Sequence, residues 1–264
     1  MIEPIDVLAI AAHPDDVELS CAGTMLMAKS AGKRTGILDL TRGELSTRGN
    51  QESRAKETEE ASKILKLDYR ENLDLGDGNI ELSRANLLKV IQVIRKVKPS
   101  VLLTPHTFER HPDHEAASEL AHRATFYSGL VNITTQDEEG NPQEPHRPLL
   151  KLHFMQTYTF DPKIIIDVTP VFEDRMAAMQ AYGSQFARPK NVSSRVGTSH
   201  VTNDDLKVVQ ERETFLTQSG FYEWIEARAR TYGMIIGVEY GEPFWSHEPL
   251  GTKDLFSLVT KKVA

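Results

Sequence analysis

The chain is poor in thiols, in long apolar runs and in clustered basic charge. Cys21 is the one cysteine among 264 residues, so no internal disulfide can form, and without a Cys-x-x-Cys pair no thiolate zinc site is available. Any metal must therefore rest on histidine and carboxylate. A mean hydropathy of −0.39 leaves no segment apolar enough to span a bilayer. The first residues carry no basic stretch and no small-residue cleavage pattern, so a secretory leader is not expected and a cytoplasmic protein is. The formal net charge is −7, with Lys and Arg scattered, which would repel a phosphate backbone; no nucleic acid and no membrane partner is expected, and a small polar molecule fits better. Two catalytic signatures are missing as well. Residues 13–18 contain no glycine, against a dinucleotide fingerprint after the first strand, and no Gly-x-Ser-x-Gly elbow marks a serine hydrolase.

What is present is an alternation of apolar runs and amphipathic stretches. Residues 7–12, 35–40, 72–75 and 101–104 read as strands. Between them lie helical patterns over 19–31, stopped by Gly32, over about 52–66, and over a segment capped by Ser83 and ended by Pro99. Strands that are nearly all apolar, separated by helices, predict an α/β fold: a doubly wound, Rossmann-like, mostly parallel sheet flanked by helices. One domain over 1–264 is expected, with an exposed polar insertion at about 131–150. Beyond it, 152–160 and 164–168 read as strands, 171–182 and about 205–230 as helices, and 233–240 as a late strand.

Two short segments carry the chemistry: Ala12-His13-Pro14-Asp15-Asp16 and His111-Pro112-Asp113-His114. Ligands of open parallel sheets bind outside the carboxyl ends of the strands, where strand order reverses. The first segment follows the first strand directly and the second follows the fourth, so topology alone brings them together. Catalytic zinc takes three protein ligands and keeps an open position. His13, one of the two aspartates and one of the two histidines can supply those ligands. The other aspartate would then face the reacting water and the other histidine the substrate. Asp113 is placed to orient an imidazole. The same donors also suit non-haem iron, and a non-catalytic metal- or sugar-binding module is a further alternative.

These motifs resemble the signatures of the LmbE-like (PIG-L) N-acetylglucosaminyl deacetylases. The likeness extends to Asp39-Leu40-Thr41-Arg42-Gly43-Glu44, to the helix start from Arg54 to Ala61, to Arg110, and to Ala181-Tyr182-Gly183-Ser184-Gln185-Phe186. Within that family it is most similar to the bacillithiol-biosynthesis branch, which deacetylates N-acetylglucosaminyl malate. The resemblance implies that His13, Asp16 and His114 bind Zn2+, with Fe2+ or another divalent metal as the alternative. It implies Asp15 as general base, and a protonated His111 held by Asp113 as a stabiliser of the tetrahedral intermediate. Arg54 and Arg110 would contact the amino-sugar substrate. Tyr222, in Gly220-Phe221-Tyr222-Glu223, would stand where relatives carry a mobile tyrosine. A homo-oligomer is an expectation from relatives.

Other polar residues read more plainly. Arg42, Glu44 and Arg48 sit in a loop at the same sheet edge and are either substrate contacts or solvated. Asp77-Gly78 reads as a turn. His106, His122, His146, His153, His200 and His247 lack metal spacing, and Cys21 reads as a packing residue. The aromatics Phe221, Tyr222, Trp224, Phe244 and Trp245 read as core or interface.

Overall fold

Apolar strands that alternate between two helix-covered faces build the centre of the molecule. In the computed structural model, which describes residues 3–186, 216, 220–254 and 258–259, seven strands form one sheet in the order β3-β2-β1-β4-β5-β7-β6. They are β1 (Val7–Ala11), β2 (Thr35–Asp39), β3 (Tyr69–Asn72), β4 (Val101–Pro105), β5 (Leu150–Phe154), β6 (Ile164–Asp167) and β7 (Gly241–Trp245). The first five run parallel, and β7 is antiparallel to both neighbours. The doubly wound expectation holds, and the order reverses between β1 and β4.

Seven α-helices among the described residues cover the sheet: α1 (Asp16–Ser20), α2 (Ala22–Ser30), α3 (Gln51–Ile64), α4 (Arg84–Val97), α5 (Pro112–Tyr127), α6 (Phe172–Gln180) and α7 (Phe221–Ile236). Leu8 and Ile10 of β1 pack with Ile91 and Ile94 of α4 and Leu120 of α5. The intervening Val7, Ala9 and Ala11 face Met25 of α2 and Phe154 on the opposite side. Two-sided burial explains why these strands are continuous apolar runs, and each fully buried aliphatic side chain contributes about 1.5–3 kcal/mol. Cys21 is buried in the second of these layers. Among the described residues no helix is long and apolar enough to cross a membrane.

Several boundaries differ from expectation for identifiable reasons. Residues 233–240 are not a strand; they are the end of α7 and a turn. Gly233 lets the helix approach the Glu239–Tyr240 backbone, where a Cβ would come within 2.7 Å, and Gly237 closes the helix at φ 77°. The strand begins only at Gly241. A short apolar run does not distinguish helix from strand by periodicity, and here the helix wins. The helix expected over 205–230 starts at Phe221 among the described residues; its earlier part and His200 lie outside them. The first helix is two, since Cys21 interrupts it at φ −145°. Across the sheet, Glu242 of β7 accepts from the N–H groups of Gly23 (3.0 Å) and Thr24 (2.7 Å), capping α2. Strand β3 lies three residues earlier than expected: on this partly exposed edge strand Tyr69 packs against the core on one face and Arg70 reaches buried carboxylates on the other, so no aliphatic run marks it.

The polar insertion is anchored rather than loose. Arg95 of α4, buried, donates to the carbonyls of Ser128, Leu130 and Ile133 and to Thr135 Oγ1. His146 and Leu149 bond to Pro99 and Ser100, ahead of β4. The segment thus lies at the amino-terminal edge of the sheet, away from the carboxyl edge where both motifs emerge.

Candidate metal centre

The chain leaves β1 at Ala12, whose carbonyl is held by both the N–H and the hydroxyl of Thr41 (2.9 Å each). His13 therefore stands at the carboxyl end of the central strand. Pro14 and Asp15 make a tight turn into α1. Asp15 takes φ 116°, a left-handed conformation that costs a non-glycine residue of order 1–3 kcal/mol. Its side chain does not cap the helix; it pairs with Arg54 at 2.9 Å. The second motif opens α5, with His111 as its N-cap and Pro112 in the first turn.

Here the motifs meet. His13, Asp16 and His114 are all buried, and each offers a ligand atom within 4.8 Å of the others. Asp16 Oδ1 is 3.2 Å from His114 Nε2, and Asp16 Oδ2 is 3.6 Å from His13 Nδ1. The other face of the His13 ring is occupied: Nε2 is 3.1 Å from Asp77 Oδ1 and 3.3 Å from Asp113 Oδ2. Carboxylates accept, so Nε2 carries a hydrogen, and Nδ1, facing Asp16, is the position where a proton or a metal ion would sit. A metal-binding histidine is ordinarily steered this way by a carboxylate behind it. Two imidazoles and a carboxylate beside an open cleft fit a divalent ion of the catalytic type. His13, His111 and Asp113 also cluster, but Asp113 already holds Nε2 of His13, so that grouping is hydrogen-bonded.

The electrostatics follow from crowding. Burial opposes charge on His13, yet hydrogen bonds to Asp113, Asp16 and Asp77 outweigh it and raise its pKa well above the ordinary histidine value. A proton or a metal ion at this ring meets the same demand for positive charge. Burial would raise Asp16, but His114 and His13 hold it well below the carboxylate range. Asp15 goes the other way. Its burial dominates the opposing pull of Arg54 and lifts it to about 7.

The cleft, of about 360 Å³, is lined by Asp15, Arg54, Arg110, His111 and both metal-facing histidines, together with the loop after β2. The expected residues are distributed differently within it. Arg54 is buried with Nη1 on Asp15 and on the Pro14 carbonyl, so its first partner is the expected base. His111 is not held by the Asp113 carboxylate. Its Nδ1 accepts the Asp113 backbone N–H at 3.2 Å, and burial, with His13 and His114 nearby, lowers its pKa. That favours a neutral ring over the protonated one expected. Asp113 does orient an imidazole, that of His13. Tyr222 does not line the cleft; it packs in the cluster of Phe221, Phe186 and Trp224.

Two residues of the centre were missed in the sequence. Asp77, read as a turn residue, reaches His13. Gln156, after β5, donates from Nε2 to Asp16 Oδ1 at 2.8 Å, on a loop whose N–H groups at Gln156 and Thr157 are held by buried Glu109. Neither lies in a motif with ligand spacing. Only the carboxyl-edge position of Asp77 was a usable signal.

Known proteins resemble this chain in sequence and fold. The family described as PIG-L, GlcNAc-PI de-N-acetylase, matches residues 8–125. Diacetylchitobiose deacetylase of Thermococcus kodakarensis is 30% identical over 190 residues, 68% of this chain and 70% of that protein. Among solved structures, the conserved protein TT1542 of Thermus thermophilus superposes with a TM-score of 0.76 at 35% identity, covering 95% of this chain and 98% of that one. The N,N'-diacetylchitobiose deacetylase of Pyrococcus horikoshii shares the fold, with a TM-score of 0.71, 24% identity, and 91% and 82% of the two chains covered. With both motifs at the reversal point of the sheet and relatives matched over two thirds of their length, the chain belongs to the PIG-L family of de-N-acetylases.

Proposed function

We propose that the protein is a zinc-dependent N-deacetylase that hydrolyses the acetamide of an N-acetylglucosaminide, N-acetylglucosaminyl malate in bacillithiol biosynthesis being the preferred substrate. The observation that carries this reading is Asp15: a buried carboxylate in a strained turn, next to the candidate ligand Asp16 and not needed to complete the ligand set. A spare acid in that position speaks for hydrolysis over oxygen chemistry at the same donors.

A divalent ion held by His13, Asp16 and His114 would polarise the acetamide carbonyl and lower the pKa of water in the cleft. Asp15, with a pKa near 7, is matched to accept the proton of the attacking water. Arg54 fixes its orientation and stabilises its charged form. The same carboxyl then passes the proton to the departing nitrogen as the C–N bond breaks, giving acetate and a free amine. His111, neutral, with Nδ1 engaged by the Asp113 N–H, presents Nε2–H as a donor to the developing oxyanion. The family's description and the name of the Thermococcus kodakarensis deacetylase have an N-acetylglucosamine unit in common, which supports that sugar.

An anionic aglycone finds support in the arginines of the cleft. Arg48 lines it, with a buried Nε that has no partner among the described residues, and Arg110 lines it from the loop before α5. With Arg54 committed to Asp15, these two take the place of Arg54 as partners for a carboxylate. The test is acetate release from a panel of N-acetylglucosaminides with neutral and dicarboxylate aglycones, with zinc, with iron under anaerobic conditions, and with chelator. Stoichiometric zinc uptake without acetate release from any of them would replace the enzyme with a binding module.

A further inference from the structure

The Asp77 side chain is only 7% exposed although it sits in a surface turn after β3, and its two carboxylate oxygens serve different elements. Oδ1 lies 3.1 Å from His13 Nε2, while Oδ2 accepts the Leu45 N–H at 2.8 Å. In return the Asp77 N–H donates to Glu44 Oε1 at 2.8 Å, and Glu44 Oε2 accepts the Arg42 N–H at 3.2 Å. The loops after β2 and β3 are thus clasped through one acidic side chain from each. The loop after β2 is a wall of the cleft, contributing Gly43, Leu45, Ser46, Thr47 and Arg48. Burial does not hold it, since Leu45 is 69% exposed. Its polar ties do, and at its far end these are Gln185 to Ser46 Oγ and to the Arg48 carbonyl, 2.8 Å each. Asp113 also reaches His13, but its other bond goes to the Gly78 N–H (2.7 Å). It steadies the turn and does not touch the loop.

We infer that Asp77 is a positioning residue that couples the metal ligand His13 to the substrate wall at residues 43–48, an inference that rests on His13 being a ligand. A cation on Nδ1 makes Nε2–H a stronger donor, which draws Asp77 tighter and with it the Leu45 N–H. The link is reciprocal: a loop held by Asp77 raises the affinity for the metal as much as the metal orders the loop. Carboxylates behind a ligating imidazole ordinarily change metal affinity by about 10–100-fold; the added element here is that the same carboxylate builds the cleft.

The test uses the full chain and zinc alone, without substrate. Zinc affinity is measured by competition with a chromophoric chelator, and loop order by the rate of tryptic cleavage after Arg42 and Arg48. In the wild type, zinc is expected to slow cleavage at both sites. Asp77→Ala is expected to bind zinc roughly 10–100-fold more weakly and to lose the protection even at saturating zinc. With substrate, its KM should rise more than its kcat falls. Asp77→Asn keeps the size of the side chain but has one acceptor oxygen, so it serves His13 or Leu45 and must lose either affinity or protection. The inference is overturned if zinc does not protect the wild-type loop, or if Asp77→Asn keeps both zinc affinity and protection. Absence of zinc uptake by the wild type instead removes the metal reading itself.

Discussion

Two buried clusters of charge flank helix α1 and are built from similar residues, yet they differ in where their positive charge comes from. In one, Arg70 is a fork between carboxylates: Nε and Nη2 reach Asp39 at 2.8 and 3.1 Å, and Nη1 reaches Glu18 at 2.8 Å. The Tyr182 hydroxyl, 3.2 Å from both Glu18 and Arg70, closes the network. Burial penalises the Arg70 charge, but Asp39 and Glu18 more than restore it. In the other, Arg54 is absorbed by Asp15 and Pro14, and Asp16, Asp77 and Asp113 are left to the histidines. A guanidinium is a permanent cation. An imidazole can exchange its proton for a metal ion, so the second cluster is chemically open where the first is closed. The strained backbone, at Asp15, is also on the open side.

The sharpest break in that comparison comes from Asp15→Ala. Acetate release is expected to fall about 10²–10⁴-fold while zinc content, measured by atomic absorption, stays at the wild-type level. Undiminished turnover would remove Asp15 as the base. On the closed side, Arg70→Ala leaves Glu18 and Asp39 buried without a cation and is expected to cost about 3–5 kcal/mol of stability in urea unfolding. That loss should be the same with and without chelator; a loss below about 1 kcal/mol would mean that the closed cluster is not structural. Metal removal should act on the open cluster alone. Free zinc at about a hundred times its dissociation constant is expected to stabilise the wild type by about 2.7 kcal/mol, and Asp16→Asn should abolish most of that gain.

The smallest expected effect belongs to a buried histidine outside both clusters. His153 is fully buried, its Nδ1 2.7 Å from the Pro105 carbonyl, and burial pushes its pKa down to about 3. Between the unfolded-state value near 6.5 and the folded value, only the unfolded chain takes up the proton, so stability falls as pH drops through that window. From about pH 6.5 to about pH 5 the loss is about 2 kcal/mol. His153→Asn, which keeps a donor to Pro105, should flatten that part of the urea-midpoint profile. Parallel profiles for the two proteins would rule the effect out.

The parts of the centre that were legible in the sequence are contiguous ones. His13 to Asp16 and His111 to His114 each place several donors within one turn, next to a strand whose apolar run marks it as central. Asp77 was illegible because its role depends on β3, β2 and β1 lying side by side, which no local spacing records. Arg54 was readable as an important arginine but not as the partner of Asp15, since that contact joins α3 to the turn before α1. The late strand failed for a different reason: Gly233 in a strand-like run serves close packing of a helix on a turn.

By itself, then, the sequence determined the strand and helix alternation, the reversal point at which chemistry would sit, and the residue types available to a metal, because these follow from periodicity and from the absence of thiols. Tertiary structure alone decided which atoms face one another. It turned Asp113 toward His13 in place of His111, committed Arg54 to Asp15, moved Tyr222 into an aromatic cluster and brought Asp77 to the metal ligand. The physical reason is that burial and charge pairing act over a few ångströms between segments far apart in the chain, and only packing fixes those distances.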